Sequence, residues 1–85
     1  MKEFNYTIKA EAGLHARPAG LMAQKAMTFK SEITMKANDK EASCKKLFAL
    51  MKLGVKQGHT IQVIFDGEDE NEAYSEITAF IGENF

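Results

Sequence analysis

The sequence predicts an α/β chain of the α+β kind: an antiparallel sheet with its helices packed on one face. Apolar and polar residues alternate in three short segments, the mark of half-buried strands, and a tight turn implies a fourth strand. Three other segments switch to helical spacing, which gives the order βαββαβα. Separated strands joined by helices favour an antiparallel sheet covered on one side. The chain has 85 residues, 45% hydrophobic and 27% charged, the makeup of a soluble globule. One domain over residues 1–85 is the expectation.

Residues 3–9 alternate, with Phe4, Tyr6 and Ile8 on one side and Asn5, Thr7 and Lys9 on the other, and read as a half-buried strand. Residues 10–14 break it, and Gly13 is free to take a positive φ. From 16 to 28 the period is helical: Ala19, Met22, Ala23, Ala26 and Met27 share one face, and Gln24, Lys25 and Thr28 lie away from it. Residues 31–37 alternate again, with Ile33 and Met35 inward. Ala37-Asn38-Asp39-Lys40 reads as a tight turn, because Asn and Asp tolerate the left-handed region. A strand at about 40–44 completes the hairpin. Residues 46–52 form a brief helix carrying Leu47, Phe48, Leu50 and Met51, ended by Gly54. Residues 59–66 are the clearest strand, with Ile61, Val63 and Phe65 inward, and Asp66-Gly67 turns the chain. The last helix spans about 69–82. Asp69 as N-cap and Glu72 three residues on make a capping-box pattern, and Ala73, Ile77, Phe80 and Ile81 form its apolar stripe.

Composition excludes several classes of function. The net charge is −1, so no basic excess points to nucleic acid or to membrane phosphate. The longest apolar stretches are too short to span a bilayer, and the N-terminal residues carry no signal-peptide core. One cysteine, Cys44, allows no internal disulfide, which fits a reducing compartment, and the cytoplasm is the expected location. His15, His59 and Cys44 are too dispersed for a metal-ligand pattern, and no cofactor is expected. A chain this short buries roughly 60–65% of its unfolded surface and has little volume for a deep pocket. Chemistry is therefore expected at the surface, with a partner supplying the rest of the site.

The run Gly13-Leu14-His15-Ala16-Arg17-Pro18-Ala19 carries that chemistry. The first turn of a helix leaves N–H groups without intrahelical partners, and the macrodipole adds about half a positive charge there. Together they attract an oxyanion such as phosphate. Pro18 fits the first turn, where it has no N–H bond to lose. Arg17 adds a planar fork of donors suited to phosphate oxygens. His15 supplies more than binding, because neutral imidazole is a nucleophile. The dipole, worth about 0.3–1 kcal/mol at an exposed site, favours that neutral form over imidazolium. After attack, Arg17 and the backbone N–H groups are placed to stabilise a phosphoryl group on the ring. Taken alone, a histidine ahead of an Ala-rich helix reads as a helix cap or a surface filler. Gly13, Arg17 and Pro18 together favour function.

This run resembles the active-site signature of the HPr family, the histidine-containing phosphocarriers of the phosphoenolpyruvate-dependent sugar phosphotransferase system. The resemblance covers essentially the whole chain: Leu47-Phe48 and Leu53-Gly54 fall at the family's short second helix and the turn after it, and Gly67-Glu68-Asp69-Glu70 at its lead into the last helix. It implies an open-faced β-sandwich, four antiparallel strands with three helices on one side. It implies a stoichiometric carrier and no enzyme. His15 would accept a phosphoryl group on Nδ1 from phosphorylated enzyme I and pass it to an enzyme IIA domain. Arg17 and the backbone amides of Ala16 and Arg17 would hold the phosphate. Leu47, Phe48 and Met51 would dock both partners, and methionine repacks readily against varied surfaces. A monomer is expected.

Lys45, Lys46, Lys52 and Lys56 cluster around that helix, either as a solvated face or as a steering patch for acidic partners. The sequence departs from the family at Lys46, where many relatives carry a serine that a dedicated kinase phosphorylates. Lys46 has no hydroxyl to modify, and Ser43 reads as structural. His59 reads as a surface residue and Cys44 as a small buried apolar one. The alternative function is a regulatory binding module that keeps the fold and docking patch but acts on a transcription factor or metabolic enzyme.

Overall fold

The computed structural model describes residues 1–85. The elements run β1 (Lys2–Thr7), α1 (Ala16–Ala26), β2 (Glu32–Ala37), β3 (Lys40–Ser43), α2 (Leu47–Met51), β4 (Thr60–Asp66) and α3 (Glu70–Asn84). This is the predicted βαββαβα order. The four strands form one antiparallel sheet in the spatial order β1-β4-β2-β3. The alternation fixes the register. Phe4 faces Val63, Val63 faces Met35, and Met35 faces Ala42, all pointing to the helix side. One residue along, Asn5, Gln62, Lys36 and Glu41 line up on the other face, all polar, with Gln62 half-buried and the others exposed. A one-residue slip would exchange these two rows, so burial of one face holds the pairing.

The core lies between the sheet and the three helices. Ile33, Met35, Ile61, Val63 and Phe65 meet Ala19, Met22 and Ala26 of α1, Leu50 of α2, and Ala73, Ile77 and Ile81 of α3. On the helix side, α1 packs chiefly against α2 and α3. The hairpin turn takes the left-handed conformation predicted for it, at Asn38 (φ 52°) and Asp39 (φ 63°). The Asn38 side-chain amide also donates to the Leu53 carbonyl at 2.9 Å and ties the turn to the end of α2.

Two expectations need correction. Met27 does not join the apolar stripe: α1 ends at Ala26, and Met27 is 59% exposed. At 3.6 residues per turn it stands about 80° round the helix from Ala19, at the edge of the stripe. Phe29, from the following loop, fills the core there instead. The second correction is at Asp69. It occupies the N-cap position of α3, but its carboxylate makes no cap bond. It accepts the N–H of Lys30 at 2.8 Å, the N–H of Ser31 at 2.9 Å, and the Ser31 hydroxyl. Those donors, the Ser31 hydroxyl first, hold its carboxyl down at about 2. The residue latches the start of α3 to the loop before β2, and Ser31, the one buried polar residue, is satisfied by it.

Candidate functional site

His15 is the N-cap residue of α1, with extended backbone (φ −92°, ψ 161°), and its side chain caps nothing. The reading of this histidine as a helix cap therefore fails. Its Nδ1 lies 2.9 Å from the Gly13 carbonyl oxygen. A carbonyl only accepts, so Nδ1 carries a proton in this geometry, and in the neutral ring Nε2 then holds the free lone pair. The Gly13 carbonyl also accepts the His15 backbone N–H at 3.0 Å.

Gly13 is fixed from several sides. It is buried, takes φ 67°, and donates its N–H to the Ala10 carbonyl at 2.9 Å. A Cβ there would stand 2.6 Å from the Val55 carbonyl oxygen and 2.8 Å from Lys56 Cα. The backbone after α2 thus packs directly on the loop that carries His15, and the Leu14 N–H donates to the same Val55 carbonyl at 3.1 Å.

The helix start is electropositive and unneutralised. Ala19 donates to the His15 carbonyl at 3.1 Å, closing the first turn. Ala16 and Arg17, the first two helical residues, have N–H groups with no intrahelical acceptor, and Pro18 has none to offer. No acidic residue occupies this turn. Arg17 is exposed and belongs to none of the four ion pairs. Imidazole, guanidinium and two backbone donors thus belong to neighbouring residues at the start of α1. The molecule's grooves lie on the open sheet face, along α3 and beside Lys45, away from this corner.

The predicted docking residues divide by exposure. Phe48 is 81% exposed. Leu47 and Met51 are half-buried and packed against the core, and Leu50 is buried. Sequence reasoning missed Leu21 of α1, which is 52% exposed. It stands four residues beyond Arg17 and so on the same helix face. Gly20 faces α2, and a Cβ there would make an ordinary contact with the Leu47 side chain at 3.7 Å. Lys45 leaves the predicted basic cluster, because its Nζ donates to the Phe29 carbonyl at 2.8 Å; Lys46, Lys52 and Lys56 remain exposed.

Phe85 was missed altogether. It is only 3% exposed, and its ring stands edge-on to the His15 imidazole, centroids 6.1 Å apart at 81°. The signal was the spacing Ile77, Ile81, Phe85, but a helix ended at about 82 leaves it out. Ser43 and His59 are structural ties: Ser43 Oγ accepts the Lys45 N–H at 3.2 Å, and His59 Nδ1 accepts the Lys56 N–H at 3.1 Å. Burial pushes the Cys44 thiol up to about 12. No three His, Cys, Asp or Glu side chains converge as a metal site would require, and no helix is long and apolar enough to cross a membrane.

Known proteins resemble this chain in sequence and fold. The family model PTS-HPr, described as "PTS HPr component phosphorylation site", matches residues 2–83. The HPr-like protein Crh of Halalkalibacterium halodurans is 41% identical over 81 residues, covering 95% of this chain and 96% of that one. The phosphocarrier protein HPr of Mycoplasma genitalium is 40% identical over 85 residues, covering 99% and 97%. The solved histidine-containing phosphocarrier protein of a mycoplasma superposes with a TM-score of 0.94 at 34% identity, over 96% of this chain and 93% of that one. The chain therefore belongs to the PTS-HPr family, whose HPr members are phosphocarriers rather than catalytic enzymes.

Proposed function

We propose that this protein relays phosphoryl groups in the sugar phosphotransferase system, with His15 as the acceptor. The observation that carries the reading is an uncapped imidazole beside two unpartnered helix N–H groups and an unpaired guanidinium. The Nδ1 lone pair attacks the phosphorus of phosphorylated enzyme I. The bond from phosphorus to the donor nitrogen breaks, and the donor imidazole keeps that electron pair. The same exchange then passes the group to an enzyme IIA histidine. Arg17 and the Ala16 and Arg17 amides hold the phosphoryl oxygens. Before attack the ring must turn from the Gly13 carbonyl and carry its proton on Nε2. The bond given up is worth about 0.5–1.5 kcal/mol, so the attacking state is a small but accessible fraction.

Phe48, with Leu47 and Met51 beside it, forms the apolar part of the docking surface, and Lys46, Lys52 and Lys56 ring it with positive charge. We place the protein in the cytoplasm, folded as one domain over residues 1–85 and working as a monomer. Solved relatives include a dimer of Thermoanaerobacter tengcongensis HPr and a swapped dimer of Bacillus subtilis Crh. Light scattering on the eluting protein tests the monomer, and a dimer mass refutes it.

The deciding experiment incubates the protein with enzyme I, phosphoenolpyruvate and magnesium. Wild type gains an acid-labile, base-stable phosphate, and His15→Ala gains none. No label on wild type, or equal label on both, refutes the carrier reading. Similarity to Crh supports a second reading, a regulatory binding module. Brisk transfer onward to an enzyme IIA counts against that as the main role. Lys46 already removes the version of it that needs a serine phosphate at this position.

A further inference from the structure

Phe85 and His15 close a circuit of contacts through residues far apart in sequence. The Phe85 backbone oxygen accepts the N–H groups of Lys9 and Ala10 at 2.7 and 2.9 Å. The Ala10 carbonyl accepts the Gly13 N–H at 2.9 Å. The Gly13 carbonyl accepts both the backbone N–H and the Nδ1–H of His15. The His15 ring then returns to Phe85, edge-on at 6.1 Å. Phe85 is itself held, buried and against the Phe80 ring at 6.3 Å.

We propose that Phe85 is a positioning residue that holds the His15 imidazole plane and, through this circuit, keeps the ring proton on Nδ1. The proposal rests on the reading of His15 as the phosphoryl acceptor, but its physical content stands apart from it. Two contacts fix a ring where one does not. The Gly13 carbonyl selects which ring atom faces the loop. The edge-on contact fixes the plane. A half-turn about Cβ–Cγ exchanges Nδ1 with Cδ2 but leaves the plane where it was, so the Phe85 contact survives it. The ring can therefore release Gly13 without tilting away from Phe85. Free histidine favours the proton on Nε2. A resting proton on Nδ1 is thus a departure that the surroundings must enforce.

Long-range correlation of ring protons with ring nitrogens, at a pH where imidazole is neutral, reads the tautomer directly. Wild type should hold the proton mainly on Nδ1. A dominant Nε2–H form in wild type overturns the proposal without any variant. Phe85→Leu keeps apolar bulk and removes the ring. With its plane free to tilt off the Gly13 carbonyl, the His15 ring should shift its tautomer ratio about two- to tenfold toward Nε2–H, the range for loss of one aromatic pair. Phe85→Tyr, which keeps the ring, should restore the wild-type ratio. A folded Phe85→Leu with the wild-type ratio overturns the proposal. Should Phe85→Leu fail to fold, Phe85→Met serves in its place, with the same two outcomes. Absence of phosphate label on wild type strikes the carrier reading alone, because the tautomer readout needs no phosphate.

Discussion

Replacing Gly13 by alanine should destabilise the fold far more than the same change at Gly54. Both glycines take nearly the same backbone conformation, φ 67° and φ 66°. Both variants therefore pay the left-handed penalty for an L-residue, about 1–2 kcal/mol. They differ in what a new methyl group meets. At Gly54 nothing lies within 4 Å. At Gly13 the methyl would stand 2.6 Å from the Val55 carbonyl oxygen and 2.8 Å from Lys56 Cα. Both are backbone atoms, so no flexible side-chain end can swing aside. Overpacking of this kind adds about 1–3 kcal/mol. At roughly 6 °C per kcal/mol for a domain of this size, Gly54→Ala should lose about 6–12 °C in Tm. Gly13→Ala should lose roughly 12–30 °C. Thermal unfolding followed by circular dichroism compares the two. Equal melting temperatures would refute the close approach of the 55–56 backbone to the loop that carries His15.

Four further outcomes follow from particular contacts. Because the Asp69 carboxyl is held at about 2 against an ordinary 3.8, its contribution is complete above pH 3.8 and fades as pH falls toward 2. Denaturant midpoints of wild type should fall through that window more steeply than those of Asp69→Asn, and parallel curves would refute the latch. Phe48→Ala should leave stability within about 0.5 kcal/mol yet slow phosphoryl transfer, measured by partner titration. Leu50→Ala, two residues on and fully buried, should cost about 2–5 kcal/mol in a denaturant melt. Cys44, buried with its thiol pushed up to about 12, should resist a thiol reagent in native protein and react on unfolding; rapid native labelling would contradict its burial.

What could be read in the sequence was local. Strand alternation, the helical stripes and the order βαββαβα depend on neighbours two to four residues apart, and the structure keeps them. The proposed site of His15, Arg17 and Pro18 is local for the same reason: a helix start gathers its groups from adjacent positions. The misses are contacts whose partner is chosen by the tertiary fold. Asp69 has the local credentials of a cap, but Ser31 and the backbone of Lys30 offer three donors at once, and the carboxylate goes to them. Lys45 looked like a free charge until the Phe29 carbonyl came within 2.8 Å. Phe85 lies seventy positions from His15, and no spacing rule joins them.

The energies at the site are small, and the proposed relay needs them small. The imidazole rests on one hydrogen bond, worth about 0.5–1.5 kcal/mol, so leaving the resting state costs about one factor of ten at most. Arg17 is exposed, and a guanidinium screened by water binds phosphate far less tightly than a buried one. The two free amides of Ala16 and Arg17 add direction without burial. A site built from buried, paired charges would hold a phosphoryl group too firmly to hand on, because removing a buried partner costs several kcal/mol. An open corner with shallow contacts leaves the transition state to be completed by whichever partner docks. On this reading the scarcity of enclosure around His15 is itself the adaptation: a deep pocket would make a better binder and a poorer carrier.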